Sequence, residues 1–147
     1  MDLAKARESY LYAYPGDAYV DVLGIDNYMD AGATWNRKPR TVRKQELITG
    51  LTMLSSLAVE KKKMAALTET GLEGVTESDW FTAMMLQPLS ETPGMRIAYL
   101  MVWRNANTTH HYAPYPGHPS AEDFKAFYRH PFTLFEGDLK DMYVQRK

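Results

Sequence analysis

The chain has 147 residues, 45% of them hydrophobic and 24% charged, enough to bury one core and too apolar for a disordered segment. A net charge of -1 gives no electrostatic reason to expect a polyanionic partner, and the absence of cysteine excludes disulfides and thiolate metal sites while leaving the compartment open. No run approaches the ~18 apolar residues of a membrane span, and Met1-Asp2-Leu3-Ala4-Lys5 begins no signal peptide, so neither nucleic acid nor membrane is an expected partner.

In chain order, a weakly helical start over residues 3–8 is broken by the turn Pro15-Gly16-Asp17. Residues 19–28 follow, a β-branched run polar only near its ends, which reads as a buried parallel strand. A period of two places Val20, Val22, Gly24, Asp26 and Tyr28 on one face, so a carboxylate and a phenol emerge together at the C-terminal end. A loop carrying Trp35 and Pro39 leads to Thr41, placed to cap a helix over 42–59 whose Leu47, Leu51, Leu54 and Ala58 recur at three- and four-residue spacing. Lys61-Lys62-Lys63 closes that helix, where cations suit the dipole.

The second strand, Met64-Ala65-Ala66-Leu67-Thr68-Glu69-Thr70, is a small-residue apolar run that ends abruptly in a carboxylate flanked by two hydroxyls. Gly71 then frees the backbone to leave the sheet, so this strand delivers Glu69 to a sheet rim. Ser78 or Asp79 is placed to cap a second helix over 80–89, which Pro93-Gly94 follows. Residues 95–103 form a third apolar strand, with Trp103, Arg104 and Asn105 at its C-terminal end. A long loop over 106–119 holds Tyr112, Tyr115 and His118; Ser120 is placed to cap a third helix through Phe124, Phe127 and Tyr128, and a short helix is expected near Asp138 to Tyr143. His110, His111 and His118 match no metal-ligand spacing, so no metal is expected.

Strand then helix, three times, with the chemically interesting side chains at the same strand end, points to an α/β fold whose active face lies at the C-termini of a parallel sheet. A small doubly wound sheet and part of a (β/α)8 barrel both satisfy the pattern. No glycine-rich phosphate loop follows any strand, which favours the barrel.

Four ordered blocks resemble glycoside hydrolase family 26, the β-mannanases: Tyr14-Pro15-Gly16-Asp17-Ala18-Tyr19-Val20-Asp21-Val22-Leu23-Gly24-Ile25-Asp26-Asn27-Tyr28, Ala66-Leu67-Thr68-Glu69-Thr70-Gly71, Val102-Trp103-Arg104-Asn105 and Tyr112-Ala113-Pro114-Tyr115-Pro116-Gly117-His118. The resemblance implies a partial (β/α)8 TIM barrel of three C-terminal strand-helix units, strands six to eight, with residues 1–147 forming the C-terminal part of the catalytic domain. It implies retaining hydrolysis of β-1,4-mannosidic bonds by two carboxyl groups about 5–5.5 Å apart, a chemistry that needs no cofactor. Glu69 is then the nucleophile and Tyr28 the tyrosine that hydrogen-bonds and orients it. By the same resemblance Asp26 belongs to the polar network below the sugar, Trp103 is a platform beneath a sugar ring, and Arg104 reaches sugar hydroxyls. Trp35, Tyr112 and Tyr115 are loop aromatics suited to lining a sugar groove.

The family's acid/base glutamate follows a histidine on the fourth strand, ahead of where this sequence starts. Glu73, Glu77 and Asp79 are the nearby carboxylates within the chain, but a replacement acid must sit within about 0.5 Å of productive geometry. Expected partners are therefore β-mannan or a related β-glycan, and a missing N-terminal half-barrel or a second copy of the chain. Family membership would imply a secreted or periplasmic location. The alternative is a non-catalytic carbohydrate-binding fragment, or degenerate copy, that keeps the aromatic platforms.

Overall fold

The computed structural model describes residues 2–140. After an N-terminal helix α1 (Leu3–Leu11), the chain alternates β1 (Val22–Asn27), α2 (Arg40–Lys61), β2 (Met64–Thr70), a π-helical segment (Phe81–Leu86) continuing into α3 (Gln87–Glu91), β3 (Leu100–Val102) and α4 (Ala121–Tyr128). The strands form one parallel sheet in the order β1-β2-β3, with β2 central. No helix among the described residues is long and apolar enough to cross a membrane.

The helices pack against one side of the sheet. Leu23, Ala65 and Leu67 alternate along the strands onto the covered side and are fully or almost fully buried. They join two clusters: Leu23 and Ala65 with Leu54, Leu57 and Ala58 of α2 and Ala6 of α1, and Leu67 with Leu47, Leu51, Phe81, Met84, Met85 and Phe127. The leucine spacing read from the sequence is thus the buried stripe of α2. Met64, Tyr99 and Met101, at alternate positions, remain exposed.

Several local expectations are corrected. Thr41 does not cap α2, which begins one residue earlier: Pro39 occupies the N-cap position at φ -54° and makes no side-chain cap bond. Neither Ser78 nor Asp79 caps the second helix through its side chain; Asp123, from α4, accepts the N–H groups of Phe81 and Thr82 at 2.8 and 3.2 Å. That helix opens in π form, with Gln87 N–H donating to Thr82 O, because Pro88 has no N–H to give and its ring crowds the carbonyl four residues back. The third strand is shorter than residues 95–103. Ser55 of α2 takes both backbone groups of Arg96, accepting its N–H at 3.0 Å and donating to its carbonyl at 3.2 Å, so regular pairing starts later. Ser120 receives α4 through its backbone carbonyl and turns its hydroxyl to His118. Near the C-terminus there is a 3-10 turn (Glu136–Asp138); of the short helix expected from Asp138 to Tyr143, residues 139 and 140 are not helical and 141–143 lie outside the described residues.

Candidate active site

Glu69 reaches the rim through an irregularity in β2. Ile25 pairs with Leu67 but Asp26 pairs with Glu69, and on the other side Leu67 pairs with Leu100 while Thr70 pairs with Val102. Between Leu67 and Thr70, β2 therefore carries one residue more than either neighbour, a β-bulge seen from both sides. Strict alternation would send Glu69 to the side of Ala65 and Leu67, into the helices; the extra residue returns it to the open face beside Asp26. Thr68 shares that face, donating from Oγ1 to Asp26 Oδ1 at 2.7 Å. Gly24 leaves room for it: a Cβ there would stand 2.5 Å from Thr68 Cγ2.

Tyr28 follows β1 and turns back across the strand ends, its hydroxyl donating to Glu69 Oε2 at 3.0 Å. Burial, then the hydrogen bond and charge of Glu69, hold the Tyr28 phenol proton well above the ordinary tyrosine range, with smaller contributions from Tyr112 and Asp26. The phenol is therefore a fixed donor to the carboxylate at neutral pH. Its backbone is tied down as well: Gly32 and Ala33 donate to the Tyr28 carbonyl, Trp80 Nε1 donates to Ala31 O at 2.7 Å, and Arg43 donates to Asp30 O while pairing with Glu77 at 2.6 Å. Tyr112 packs edge-on to the Tyr28 ring with centroids 6.0 Å apart. Its ring also lies over Gly71, where a Cβ would collide with it.

Of the expected site residues, Glu69, Tyr28, Asp26 and Tyr112 therefore come together. Trp103 stands at the adjacent strand end, its N–H donating to Thr70 O at 2.9 Å. Arg104 is exposed with no hydrogen bond or ion pair to a described residue. Trp35 is 66% exposed and makes no ring contact or side-chain hydrogen bond with the described residues. Tyr115 packs elsewhere, against His111 and His118 at 5.4 and 5.2 Å between centroids. Among the carboxylates of the following loop, Glu77 pairs with Arg40 and Arg43, Asp79 with Arg40, and Glu73 with His110 at 2.6 Å. His118 takes Ser120 N–H on Nδ1, so its proton is on Nε2, facing Gly74 O at 3.2 Å.

The bulge at Thr68, the Glu73–His110 pair and the part played by Asn105 beyond its place at a strand end are not evident in the sequence. The Asn105 side chain accepts the N–H groups of Tyr112 and Ala113 and donates to Ala113 O, all at 2.9 Å, folding the loop that carries Tyr112. An asparagine opening a loop was the available signal. A depression of about 450 Å³ lined by Ser55, Lys62, Met64, Arg96 and Ala98 opens at the opposite end of the sheet, and no candidate residue lines it.

The glycosyl hydrolase family 26 pattern matches residues 2–138. A mannan endo-1,4-β-mannosidase from Bifidobacterium adolescentis is 30% identical over an alignment 136 positions long that covers 80% of this chain and 13% of that protein. A family 26 β-mannanase from Bacteroides ovatus is 43% identical with a TM-score of 0.76, covering 90% of this chain and 36% of that one. A modular endo-β-1,4-mannanase from Cellulomonas fimi is 37% identical with a TM-score of 0.76, over 90% and 29% of the two chains. A family 26 structure from Muricauda is 33% identical with a TM-score of 0.81, over 93% and 36%. The chain thus spans about an eighth of its curated relative and about a third of these solved structures. Its α/β fold resembles the TIM-barrel mannanases, with a three-stranded parallel sheet in keeping with part of a barrel. With its sequence pattern matched almost end to end, the chain belongs to glycosyl hydrolase family 26.

Proposed function

We propose that this chain supplies the nucleophile of a retaining glycosidase acting on β-1,4-linked mannan, and that residues 1–147 are the C-terminal part of its catalytic barrel, strands six to eight. The observation that carries the reading is Glu69 at the C-terminal rim of β2, turned to the open face and held by the Tyr28 hydroxyl at 3.0 Å. The Bifidobacterium relative is a mannan endo-1,4-β-mannosidase and the Bacteroides neighbour a β-mannanase, which favours mannan as the substrate class.

The chemistry follows from the carboxylate. Ionised Glu69 attacks the anomeric carbon and forms a glycosyl ester as the bond to the leaving sugar oxygen breaks; that oxygen takes a proton from a second carboxyl group, supplied outside these residues, and water then cleaves the ester. Tyr28 aims the attacking carboxylate through its hydrogen bond to Oε2. Asp26 takes sugar hydroxyls, Trp103 stacks beneath a ring, Arg104 reaches further along the chain of sugars, and Tyr112 and Trp35 line the groove. An N-terminal half-barrel, or a second copy of the chain, covers the open sheet face.

A substrate whose leaving group needs no acid tests the reading on the 147-residue chain itself. A dinitrophenyl fluoro-mannobioside is expected to release one dinitrophenolate and leave its sugar esterified to Glu69, located by peptide mass mapping, with Glu69→Ala abolishing both. Ester formation at another residue overturns the assignment. Binding of mannan oligosaccharides with no ester at Glu69 makes the chain a carbohydrate-binding fragment instead.

A further inference from the structure

The loop over residues 105–113 is built more rigidly than its length requires. Asn105 folds its far end, and Asn107 Oδ1 accepts the N–H groups of Thr109 and His110 at 2.9 Å each. Its tip is tied across to the turn after β2, where Gly74 N–H donates to His111 O at 2.8 Å and the His110 ring meets Glu73 at 2.6 Å. Because Nδ1 faces a carboxylate, the imidazole carries its proton there, and the ring plane is fixed by that bond.

What the fixed ring touches gives the pair its meaning. His110 stands edge-on to Tyr112, centroids 5.4 Å apart at 89°, and Tyr112 stands edge-on to Tyr28, 6.0 Å apart at 66°. Tyr112 sits against Gly71 and between those two rings. Burial and then the charge of Glu73 raise the Tyr112 phenol above its ordinary value, so that charge is felt at the ring. Glu73 and His110 touch neither Glu69 nor Tyr28 through any hydrogen bond, and the mechanism above leaves them unused.

We propose that Glu73 and His110 are a positioning pair for the nucleophile: the imidazole, hydrogen-bonded to Glu73, backs Tyr112, Tyr112 backs Tyr28, and Tyr28 holds Glu69. The catalytic consequence rests on Glu69 being the nucleophile; the geometric one does not. Loosening one of these edge-on ring pairs lowers the population of the bonded Tyr28 orientation by up to about tenfold.

The test uses the whole chain with its tyrosine rings carbon-13 labelled and Tyr28 assigned by its loss in Tyr28→Phe. In Glu73→Ala and His110→Ala the Tyr28 phenol is expected to titrate closer to the ordinary tyrosine value of about 10, and dinitrophenolate release to slow about tenfold. Glu73→Gln keeps an oxygen acceptor for the imidazole and restores both. Unchanged Tyr28 titration in both alanine variants overturns the proposal, as does slowed release with Tyr28 unmoved, which would make the pair a direct sugar contact. Absence of any ester in the unaltered chain, with Tyr28 still shifted in Glu73→Ala, leaves the positioning pair standing and removes the nucleophile assignment.

Discussion

At the scale of single residues, the Tyr28–Glu69 bond ties the candidate chemistry to stability through pH. The folded chain holds the Tyr28 proton more tightly than the unfolded chain, whose tyrosines ionise near pH 10. A group whose folded pKa is raised contributes stability that is complete below its unfolded pKa and is lost as pH climbs from there toward its folded value. Tyr28→Phe is therefore expected to be less stable than the unaltered chain at neutral pH, with the difference narrowing above about pH 10; urea midpoints of the two chains measured across that range decide it. A difference that stays constant with pH would mean that folding leaves the Tyr28 phenol pKa where the unfolded chain has it. Both residues were legible as strand-end candidates, since each closes an apolar run, while their pairing was implied only by the family resemblance. The face on which Glu69 emerges was not, because a one-residue bulge leaves no mark in an apolar-then-polar pattern.

At the scale of elements, helix periodicity was readable and helix ends were not. The leucines of α2 recur as its buried stripe, but the donors at the start of the π-helical segment are satisfied by Asp123 from α4, a residue some forty positions away. A cap supplied by another helix cannot be read from the local run, where Ser78 and Asp79 offer themselves. The same holds for Arg96, whose backbone groups are taken by Ser55 of α2 and so are withdrawn from the sheet. Asp123 also accepts the Thr82 hydroxyl, so one side chain joins the start of the second helix to α4. Asp123→Ala is expected to lower stability by about 1–2 kcal/mol, the upper range for a lost cap, through a lower urea midpoint with unchanged slope. A loss confined to the solvent-exposed end of α4, with the midpoint unmoved, would show that water replaces the carboxylate without cost.

At the scale of the whole molecule, three strands leave a surface that neither the helices nor the loops cover. The helices lie on one side of the sheet, so Met64, Tyr99 and Met101 form an exposed apolar group on the other, and β1 and β3 each present an edge unpaired among the described residues. Closing a (β/α)8 barrel takes eight strands, and an open parallel sheet exposed on one face is rare because both faces are normally buried. Unpaired edges and exposed apolar side chains both favour association. The chain by itself is therefore expected to self-associate, with a light-scattering mass above the 16.8 kDa of one copy and rising with concentration. Met101→Lys places a charge on the open face of β3 without touching the covered side, because its neighbours Leu100 and Val102 are the residues packed against the core. That substitution is expected to shift the mass toward a single copy while leaving the helical signal intact. A cooperative monomer at every concentration, equally in both chains, would mean that the open face is tolerated in water, and the barrel-completing partner would then have to be recognised by something other than this apolar surface.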